Sequence, residues 1–319
     1  MRYRTLGKTD LKVSEIGFGT WAIGGPARLG SKEIGWGDVD DEAALRALEA
    51  CPDLGINFID TADVYGGGHS EELIGKAFKD RRSEIVLCSK GGNAGFSESG
   101  FVKDFSREWI KKVCEESLKR LKTDYIDVYL YHTPRGDLHY IPEEFETLDE
   151  LKKEGKILYG GVSIGPAEDG LKLLGCGCGE VIELAYNILQ RDTEGELFPS
   201  CQEEKVGVIV REPLCSGFLT GKFSPEVTFP TNDVRSSLSR EIIEGRVTKV
   251  KSLQDLFTDR PGSLTQLALQ FCLSSQVVSS VIPGAKTLEQ LKENVSASEL
   301  GPLSSEELSY IDELFPPGA

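Results

Sequence analysis

The stretch EIVLCSK at positions 84–90 is followed by a polar segment of helical periodicity at 106–121 and then by YIDVYLYH at 125–132. Short apolar runs rich in β-branched residues are typical of buried strands. Apolar residues that recur every three or four positions are typical of amphipathic helices. The three segments together predict a strand, a helix and a second strand, which is the repeating unit of an α/β fold.

The same unit recurs along the whole chain. The apolar runs are EIGFG (15–19), INFIDT (56–61), EIVLCSK (84–90), YIDVYLYH (125–132), ILYGGVS (157–163), EVIELAY (180–186), VGVIVRE (206–212) and VSSVIP (278–283). Helical patterns lie at 40–51, 70–78, 106–121, 142–154, 166–174, 193–203, 263–273 and 287–297. Eight strands that alternate with eight helices, with no break in composition, predict a single (β/α)8 TIM barrel over residues 1–319. The alternative is a doubly wound open sheet, which needs fewer consecutive units or a reversal of strand order.

Three additions to the barrel are predicted. YRTLGKTDLKVS (3–14) alternates around a turn at Gly7 and Asp10, which predicts an N-terminal β-hairpin at the face where the strands begin. The gap between strands seven and eight is much longer than one crossover, and its glycines and prolines at 216–261 predict a long loop over the active face. SSEEL at 304–308 predicts the start of an extra C-terminal helix.

The composition limits the classes of function. The chain has 319 residues, with 36 Lys and Arg against 52 Asp and Glu, so its net charge is −16. This charge opposes nucleic-acid binding, which needs a clustered basic surface. No start resembling a secretion signal and no run of about 20 apolar residues is present, so we expect a cytoplasmic protein with no membrane span.

Eight cysteines are dispersed along the chain, and we expect reduced, buried thiols rather than a disulfide scaffold. The cluster GCGCG at 175–179 is the exception. A zinc site needs about four ligands, and no second Cys or His pair lies nearby at ligand spacing. We therefore expect no metal.

Two stretches of the sequence match known functional motifs, but the residues around them exclude the corresponding functions. GFGTWA at 17–22 fits the dinucleotide fingerprint, yet Gly24, Gly25 and Pro26 prevent the helix that this fingerprint requires. GVSIG at 161–165 fits the nucleophile elbow of hydrolases, whose histidine follows the serine in the chain. Every histidine here precedes Ser163, which excludes that hydrolase order.

A third motif, YGGGHSEEL at 65–73, has the glycines of a phosphate-binding loop. Ser70 is a good N-cap, however, and Glu71 and Glu72 in the first turn would repel phosphate. We interpret the glycines as a turn that presents Tyr65.

Four reactive side chains lie at the ends of consecutive strands or directly after them. Asp60, Lys90 and His132 end strands two, three and four, and Tyr65 follows in the loop after Asp60. The carboxyl ends of barrel strands carry the reacting groups, and neighbouring strands are only about 4.8 Å apart. Each residue also has an ordinary interpretation, respectively a turn cap, a solvated lysine, a core histidine and a packing aromatic. Their joint position favours a reactive site.

The chemistry of the four groups suits proton donation to a carbonyl oxygen. An ammonium next to a phenol lowers its pKa, which Lys90 would do for Tyr65. Burial would discharge Lys90 unless Asp60 held it ionised. His132 would hydrogen-bond the substrate oxygen and orient it. Reduction of a carbonyl then still requires a hydride donor.

Several blocks of the sequence resemble the aldo-keto reductase family, and its bacterial branch in particular. They run in family order from RTLGKTDLKVSEIGFGTW to IPGAKTLEQLKEN and include INFIDTADVYGGGHSEELIGKAF, IVLCSKGG, DYIDVYLYH, GGVS and REPLCSGFLTGKF. The resemblance implies a metal-free, NADPH-dependent reductase of aldehydes or ketones. It assigns the general acid to Tyr65, its tuning pair to Lys90 and Asp60, and the carbonyl-orienting group to His132. The same site would oxidise a CH–OH donor with NADP⁺ as acceptor, so the physiological direction stays open.

The resemblance also implies a set of residues that bind NADP. They are Gly19, Thr20, Trp21, Asp60, Ser163, Glu183, Arg211, Leu214, Ser216, Gly217, Leu219, Gly221, Arg235, Gly284, Lys286, Gln290 and Asn294. By likeness Arg235 would fold over the phosphates, Lys286 would lie near the 2′-phosphate, and Gln290 and Asn294 would face adenine. Physical reasoning supports part of this set, because Gly284 and Lys286 precede a helix N-terminus capped by Thr287. The alternative is a solvated Lys286 beside a capped helix.

The sequence departs from the family at the nicotinamide. Many members have Asn after the GVS serine and Gln near the start of strand six, where this chain has Ile164 and Glu183. Glu183 can accept a hydrogen bond from a carboxamide but cannot donate one. Arg211 takes the place of an aromatic residue, and its planar guanidinium can also stack. These residues do not decide whether the chain prefers NADPH or NADH.

Two other functions remain in competition with reduction. The first is a cofactor-binding, redox-sensing module with little turnover, as in barrel subunits of potassium channels that resemble this family. The second is a barrel isomerase or lyase that uses the same lysine. The substrate is expected to be a small carbonyl compound. Trp21, Trp36, Trp109 and Tyr140 could line an apolar pocket, although at least one of these tryptophans is expected in the core. The sequence does not indicate the oligomeric state.

Overall fold

Eight parallel strands form the centre of the protein. A computed structural model describes residues 1–29, 32–97, 100–258 and 260–317. In chain order its strands are β1 (Tyr3–Thr5), β2 (Lys12–Ser14), β3 (Phe18–Gly19), β4 (Ala27–Leu29), β5 (Lys32–Ile34), β6 (Phe58–Asp60), β7 (Val86–Gly91), β8 (Asn93–Ser97), β9 (Gly100–Lys103), β10 (Ile126–His132), β11 (Ile157–Ser163), β12 (Val181–Ala185), β13 (Gly207–Arg211) and β14 (Val278–Val281). The main sheet has the order β3-β6-β7-β10-β11-β12-β13-β14.

The sheet closes on itself. The Gly17 amide donates to the Val281 carbonyl at 2.8 Å, and the Val281 amide donates to the Glu15 carbonyl at 2.8 Å. These bonds join the segment around β3 to β14 in parallel, as the bridges Ile16 to Val281 and Gly19 to Gly284 also show. Closure leaves no free edge in this sheet. The predicted (β/α)8 barrel is therefore confirmed, and the open-sheet alternative is wrong.

Helices surround the barrel. They are α1 (Asp41–Ala50), α2 (His69–Ala77), α3 (Arg107–Leu121), α4 (Glu146–Lys153), α5 (Ala167–Gly175), α6 (Leu197–Glu203), α7 (Arg240–Leu256), α8 (Leu264–Ser274), α9 (Leu288–Leu300) and α10 (Ser305–Leu314). Their apolar faces pack on the outside of the strands in one large cluster that includes Leu48, Ile74 and Phe271. No helix in the described part of the chain is both long and apolar enough to cross a membrane.

Several helices start at side-chain caps. Ser106 caps α3, Ser263 caps α8, Thr287 caps α9 and Ser304 caps α10, each by accepting a hydrogen bond from a first-turn amide. The C-terminal helix is α10, as predicted. The predicted cap at Ser70 is wrong, because α2 starts one residue earlier, after Gly68.

The N-terminal hairpin closes the bottom of the barrel. Strands β1 and β2 pair antiparallel, as predicted, with Tyr3 opposite Ser14. Leu6, in the hairpin turn, has no exposed surface and packs into the barrel interior with Phe58, Val128 and Ile209. The turn contacts the start of β13, because a Cβ added at Gly7 would lie 2.1 Å from the Gly207 nitrogen.

The segment between β13 and β14 is not only a loop. It contains the 17-residue helix α7, which begins after an N-cap at Ser239 and buries Ile243, Val250 and Leu253. The prediction of a long loop over 216–261 is therefore wrong for this part. Gly245 and the prolines at 225, 230 and 261 favour a loop locally, but apolar contact stabilises a helix despite one glycine.

Two short hairpins were not predicted. β4 pairs antiparallel with β5, and β8 pairs antiparallel with β9. The cysteines behave mostly as expected: Cys51, Cys88, Cys114, Cys201, Cys215 and Cys272 are free and buried. Cys176 and Cys178 form a disulfide across a single intervening glycine, so it constrains one loop and is no scaffold for the fold.

Candidate active site

Asp60 and Lys90 form an ion pair deep at the carboxyl ends of β6 and β7. The Lys90 ammonium donates to Asp60 Oδ2 at 2.5 Å and to the Thr61 carbonyl at 3.0 Å, and the two paired side chains are 0% and 2% exposed. Burial alone would lower the pKa of Lys90, but the carboxylates of Asp60 and Glu183 raise it well above its usual value. Lys90 therefore stays charged, with Asp60 as its nearest counter-ion.

Tyr65 lies above this pair at the start of a 3-10 turn, Tyr65–Gly68. Its ring stacks on Trp21, with 5.7 Å between the ring centres, and meets His132 nearly edge-on at 5.9 Å. The Lys90 ammonium lies 5.4 Å from the centre of the Tyr65 ring. The glycines shape the turn as predicted, because Gly66 and Gly67 both have left-handed backbones, at φ 63° and 65°.

The pKa of Tyr65 moves in the opposite direction to the sequence-based expectation. Burial raises it, and Lys90 lowers it by less than burial raises it. Asp60 and Glu183 add further negative charge nearby, which also disfavours a phenolate. The expected net lowering of this pKa is therefore wrong, and the phenol of Tyr65 keeps its proton at neutral pH.

His132, at the end of β10, is held neutral and in one tautomer. Burial, followed by the charges of Lys90 and Lys103, lowers its pKa well below the usual value. Asn93 Nδ2 donates to His132 Nδ1 at 3.0 Å, and Lys103 fixes the Asn93 amide by donating to its Oδ1 at 2.6 Å. Nδ1 is thus an acceptor, which leaves the proton on Nε2.

Ser163 and Glu183 lie side by side on β11 and β12, below the cavity. The Ser163 hydroxyl donates to Glu183 Oε1 at 3.0 Å, and Glu183 Oε2 lies 3.1 Å from the Lys90 ammonium. Ile164, which follows Ser163, is fully buried. Arg211 is bound by Glu212 at 2.6 Å and by the Ile164 carbonyl at 3.1 Å.

These groups surround a cavity of about 960 Å³ at the carboxyl ends of the strands. This size is at the upper end for ligand pockets in proteins. Predicted site residues in its wall are Gly19, Trp21, Asp60, Tyr65, His132, Arg211, Leu214, Ser216, Gly217, Arg235, Gly284, Lys286, Gln290 and Asn294. One end of the cavity carries the cations Lys222, Arg235 and Lys286, and burial lowers the pKa of both lysines.

Two loops meet above this cationic end. The Gly37 amide donates to the Asn232 carbonyl at 3.2 Å, and the Val234 amide donates to the Gly35 carbonyl at 2.8 Å. Arg235 forms two hydrogen bonds to the Asp233 carboxylate, and its guanidinium lies 4.8 Å from the centre of the Trp36 ring. Lys286 donates to the Trp36 carbonyl at 2.5 Å, so it is a bound rather than a solvated cation.

The residues present fit a dinucleotide. Among the described residues, the buried polar atoms without a hydrogen-bond partner include Glu183 Oε2, Arg211 Nε and Asn294 Nδ2. Such atoms are rare in proteins, and all three belong to residues predicted to bind the cofactor. The loop after β13 also holds Glu212, Cys215 and Ser216 in left-handed conformations that non-glycine residues seldom adopt. A ligand with amide, phosphate and base groups would pair these atoms.

Some predicted residues do not reach the cavity wall. Lys90, Ser163 and Glu183 lie directly beneath it, whereas Thr20, Leu219 and Gly221 face elsewhere. The Thr20 hydroxyl donates to the Asp60 carbonyl at 2.7 Å, Leu219 is buried in the core, and Gly221 packs on Gln254 and Leu264. Trp21 and Trp36 line the cavity, but Trp109 and Tyr140 do not.

Three residues of the site were not predicted from the sequence: Asn93 and Lys103, which orient His132, and Lys222 at the cationic end. Lys103 also donates to the His132 carbonyl at 2.6 Å. The only local signal was the position of Asn93 directly after SKGG, at the end of a barrel strand. Lys103 carries no such signal, because the hairpin formed by β8 and β9 brings it back to the site.

Comparison with known proteins agrees with this geometry. The profile of the Aldo/keto reductase family matches residues 15–315. The chain is 34% identical over 317 residues to the uncharacterized oxidoreductase YqkF of Bacillus subtilis (strain 168), covering 98% of this chain and 95% of that protein. It is 33% identical over 314 residues to the NADH-specific methylglyoxal reductase of Escherichia coli (strain K12), covering 93% of each.

A solved structure extends the likeness to the whole fold. The holo form of aldo-keto reductase AKR11C1 from Bacillus halodurans superposes with a TM-score of 0.82 at 36% identity. The match covers 100% of this chain and 98% of that one. With the barrel, the cavity and the sequence in agreement, this chain belongs to the aldo/keto reductase family.

Proposed function

We propose that the protein reduces an aldehyde or ketone to an alcohol with hydride from NADPH, and that Tyr65 is the general acid. Membership of the family supports carbonyl reduction in general. The observation that carries the finer proposal is the arrangement at the cavity: Tyr65 and His132 face it together, above the ion pair of Lys90 and Asp60.

The chain's own residues perform the proton chemistry. Tyr65, which remains protonated, donates its hydroxyl proton to the carbonyl oxygen as negative charge develops there. His132 donates from Nε2 to the same oxygen and so orients it. Lys90 supplies the fixed positive charge that stabilises the phenolate of Tyr65 after the proton has left.

The cofactor would lie with its phosphates at the cationic end and its nicotinamide near Arg211 and Glu183. Bound there, it supplies the hydride. Lys222, Arg235 and Lys286 provide the charge that favours phosphate groups. The Escherichia coli relative is named as NADH-specific, so both reduced cofactors belong in the test. Apolar walls from Trp21 and Trp36 favour small aldehydes and ketones as substrates.

The structure disfavours the isomerase or lyase alternative. A Schiff base needs a neutral, accessible lysine. Lys90 has no exposed surface, and carboxylates hold it charged. Reduction does not need the nitrogen of Lys90 as a nucleophile.

Oxidation of NADPH and of NADH, followed by absorbance across a panel of aldehydes and ketones, tests the proposal. The parent should turn over with at least one substrate. Tyr65→Phe should lose at least about 10³-fold in kcat, because the acid is removed. The matched control is Tyr140→Phe, whose side chain is buried outside the cavity wall, and it should retain activity.

Quenching of tryptophan fluorescence separates binding from chemistry, because Trp21 and Trp36 line the cavity. Tyr65→Phe should bind NADPH as the parent does. Undiminished turnover in Tyr65→Phe would refute the assignment of the acid. A parent that binds the cofactor but reduces no member of the panel would favour the redox-sensing module instead.

A further inference from the structure

Asp60 and Glu183 share the Lys90 ammonium in an almost fully buried group of side chains. Glu183 Oε2 lies 3.1 Å from Lys90 Nζ, and Asp60 Oδ2 accepts a hydrogen bond from the same nitrogen at 2.5 Å. The side chains of Glu183, Asp60 and Lys90 are 1%, 2% and 0% exposed, respectively. If both acids were ionised, this buried group would carry a net charge of −1. An uncompensated charge in such a place is strongly unfavourable.

One carboxylate oxygen of Glu183 has no aligned hydrogen bond within the described part of the chain. Oε1 accepts from the Ser163 hydroxyl, whereas Oε2 is buried without any aligned hydrogen bond, despite its short distance to Lys90. The ammonium directs its aligned hydrogen bonds to Asp60 and to the Thr61 carbonyl. An ionised carboxylate oxygen left in this state is costly, whereas a protonated one can donate a hydrogen bond to the Asp60 carboxylate.

No other described cation is free to balance the second acid. The charged or titratable groups around Glu183 on the neighbouring elements are Asp60 on β6, Tyr65 after β6, Cys88 and Lys90 on β7, His132 on β10 and Arg211 on β13. Arg211 is paired with Glu212, and His132 is neutral. Asp60, Cys88 and Glu183 have ligand atoms within 4.8 Å of one another, but the Lys90 ammonium already lies against both carboxylates.

We propose that Asp60 and Glu183 hold one proton between them, and that they release it when the positively charged, oxidised nicotinamide occupies the cavity. This inference rests on the proposed function. The ligand oxygens of the two carboxylates lie within 4.8 Å of each other and both face the Lys90 ammonium, so one proton can be shared between them. Burial and the charge of Glu183 raise the pKa of Asp60 well above its usual value, which agrees with a retained proton.

The proton shared by Asp60 and Glu183 replaces the proton that Tyr65 donates to the substrate. Tyr65 loses its hydroxyl proton to the carbonyl oxygen and becomes a phenolate. Lys90 passes one ammonium proton to this phenolate and takes the proton held by the two acids. One O–H bond is remade at Tyr65, one is broken at the acid pair, and Lys90 ends unchanged. The second negative charge on the acids then offsets the positive charge of the oxidised ring.

Proton release on binding tests the proposal without turnover. Titration calorimetry in two buffers of different ionisation enthalpy counts the protons released as NADP⁺ or NADPH binds. At pH 7 the parent should release about one proton more with NADP⁺ than with NADPH. The 2′-phosphate titrates in both forms, so it cancels in this difference. In Glu183→Gln the difference should disappear.

Affinity gives a second readout. The parent's Kd for NADP⁺ should fall by about tenfold for each unit of rising pH near neutrality, because binding releases a proton. Glu183→Gln should show no such slope. The matched control is Glu180→Gln, which removes a carboxylate paired with Lys152 near the start of the same strand, and it should behave as the parent. Ser163→Ala leaves both acids in place but removes a donor to Glu183, so it should move the pH range of release upwards.

Equal proton release with NADP⁺ and NADPH in the parent would overturn the proposal. So would an unchanged difference in Glu183→Gln. If Glu183→Gln does not fold, an unshifted pH range in Ser163→Ala has the same meaning. These results are separate from the proposed function, which fails only if the parent reduces no carbonyl compound or if Tyr65→Phe remains active.

Discussion

At the scale of single residues, the hydrogen bond from Asn93 decides which nitrogen of His132 faces the cavity with a proton. The hydrogen bonds from Lys103 to Asn93 and from Asn93 to His132 can run in only one direction, because an ammonium can donate but not accept. A neutral histidine with its proton on Nε2 can donate to a carbonyl oxygen at any pH near neutrality. The pH dependence of the reaction is therefore not expected to report His132.

Asn93→Leu tests this role. The side chain is similar in size but cannot donate to His132 Nδ1, so the imidazole loses its fixed orientation and tautomer. We expect kcat/KM to fall by about 10- to 100-fold, since misplaced groups of this kind cause losses of that order. The melting temperature should change little. An unchanged kcat/KM would show that the hydrogen bond has no part in catalysis.

Lys90→Met isolates the electrostatic role of the lysine in stability. The variant leaves two buried carboxylates without a cation, and we expect the free energy of unfolding at pH 7 to fall by about 3–5 kcal/mol. In the variant, the folded-state pKa of these acids is raised above the unfolded one. Their contribution to stability is then present at low pH and lost as the pH rises. Urea unfolding should therefore show a smaller deficit at pH 5 than at pH 7, and the reverse order would contradict this account.

At the scale of elements, the backbone shape of the turn Tyr65–Gly68 sets the position from which the phenol enters the cavity. Gly66 and Gly67 have almost the same left-handed conformation, but their surroundings differ. A Cβ at Gly66 would lie 1.9 Å from the Gly24 carbonyl oxygen, whereas a Cβ at Gly67 would meet nothing within 4 Å. A side chain at Gly67 would therefore cause only backbone strain, whereas a side chain at Gly66 would also cause a steric clash.

Gly66→Ala and Gly67→Ala form a matched pair of variants. Both should destabilise the fold by about 1–2 kcal/mol through the left-handed alanine. Only Gly66→Ala must also move the turn away from Gly24 and displace Tyr65, so only this variant should lose most of its kcat. Steady-state kinetics and urea unfolding measure the two effects. Equal activity in both variants would show that the turn does not fix the position of Tyr65.

The elements differ in how well the sequence predicted them. Helices such as α3 and α9 have an apolar stripe and a hydroxyl cap, and both signals are local. Helix α7 carries Ile243, Val250 and Leu253 at helical spacing, but a glycine and flanking prolines masked it. The start of α2 differed from the prediction because the Ser70 hydroxyl bonds Thr20 and Thr61 in the core instead of capping the helix.

At the scale of the whole molecule, the N-terminal hairpin and the cavity lie at opposite ends of the barrel. The hairpin turn packs against the start of β13, whereas Arg211 at the other end of the same strand lines the cavity. Substitutions in the hairpin should therefore affect stability without affecting the chemistry.

Leu6→Ala tests this separation. The leucine has no exposed surface and fills the lower barrel interior, so its truncation should lower the free energy of unfolding by about 2–5 kcal/mol. Under folded conditions kcat should equal that of the parent. Leu158→Ala is the control, since this leucine is 43% exposed and should cost little. A loss of kcat in Leu6→Ala would show that the two ends are coupled.

The sequence by itself determined the barrel, most helix starts and the placement of Asp60, Lys90 and His132 at the ends of neighbouring strands, with Tyr65 in the loop after Asp60. These features depend on the spacing of apolar residues, on the capping residues of helices and on the residues that end each strand, and all three are local properties of the chain. Tertiary structure decided the rest. Burial set the direction of the pKa of Tyr65, the β8 and β9 hairpin brought Asn93 and Lys103 to His132, and closure of the barrel placed two acids on one lysine. Each of these depends on distances between segments far apart in the chain, and no local pattern encodes them.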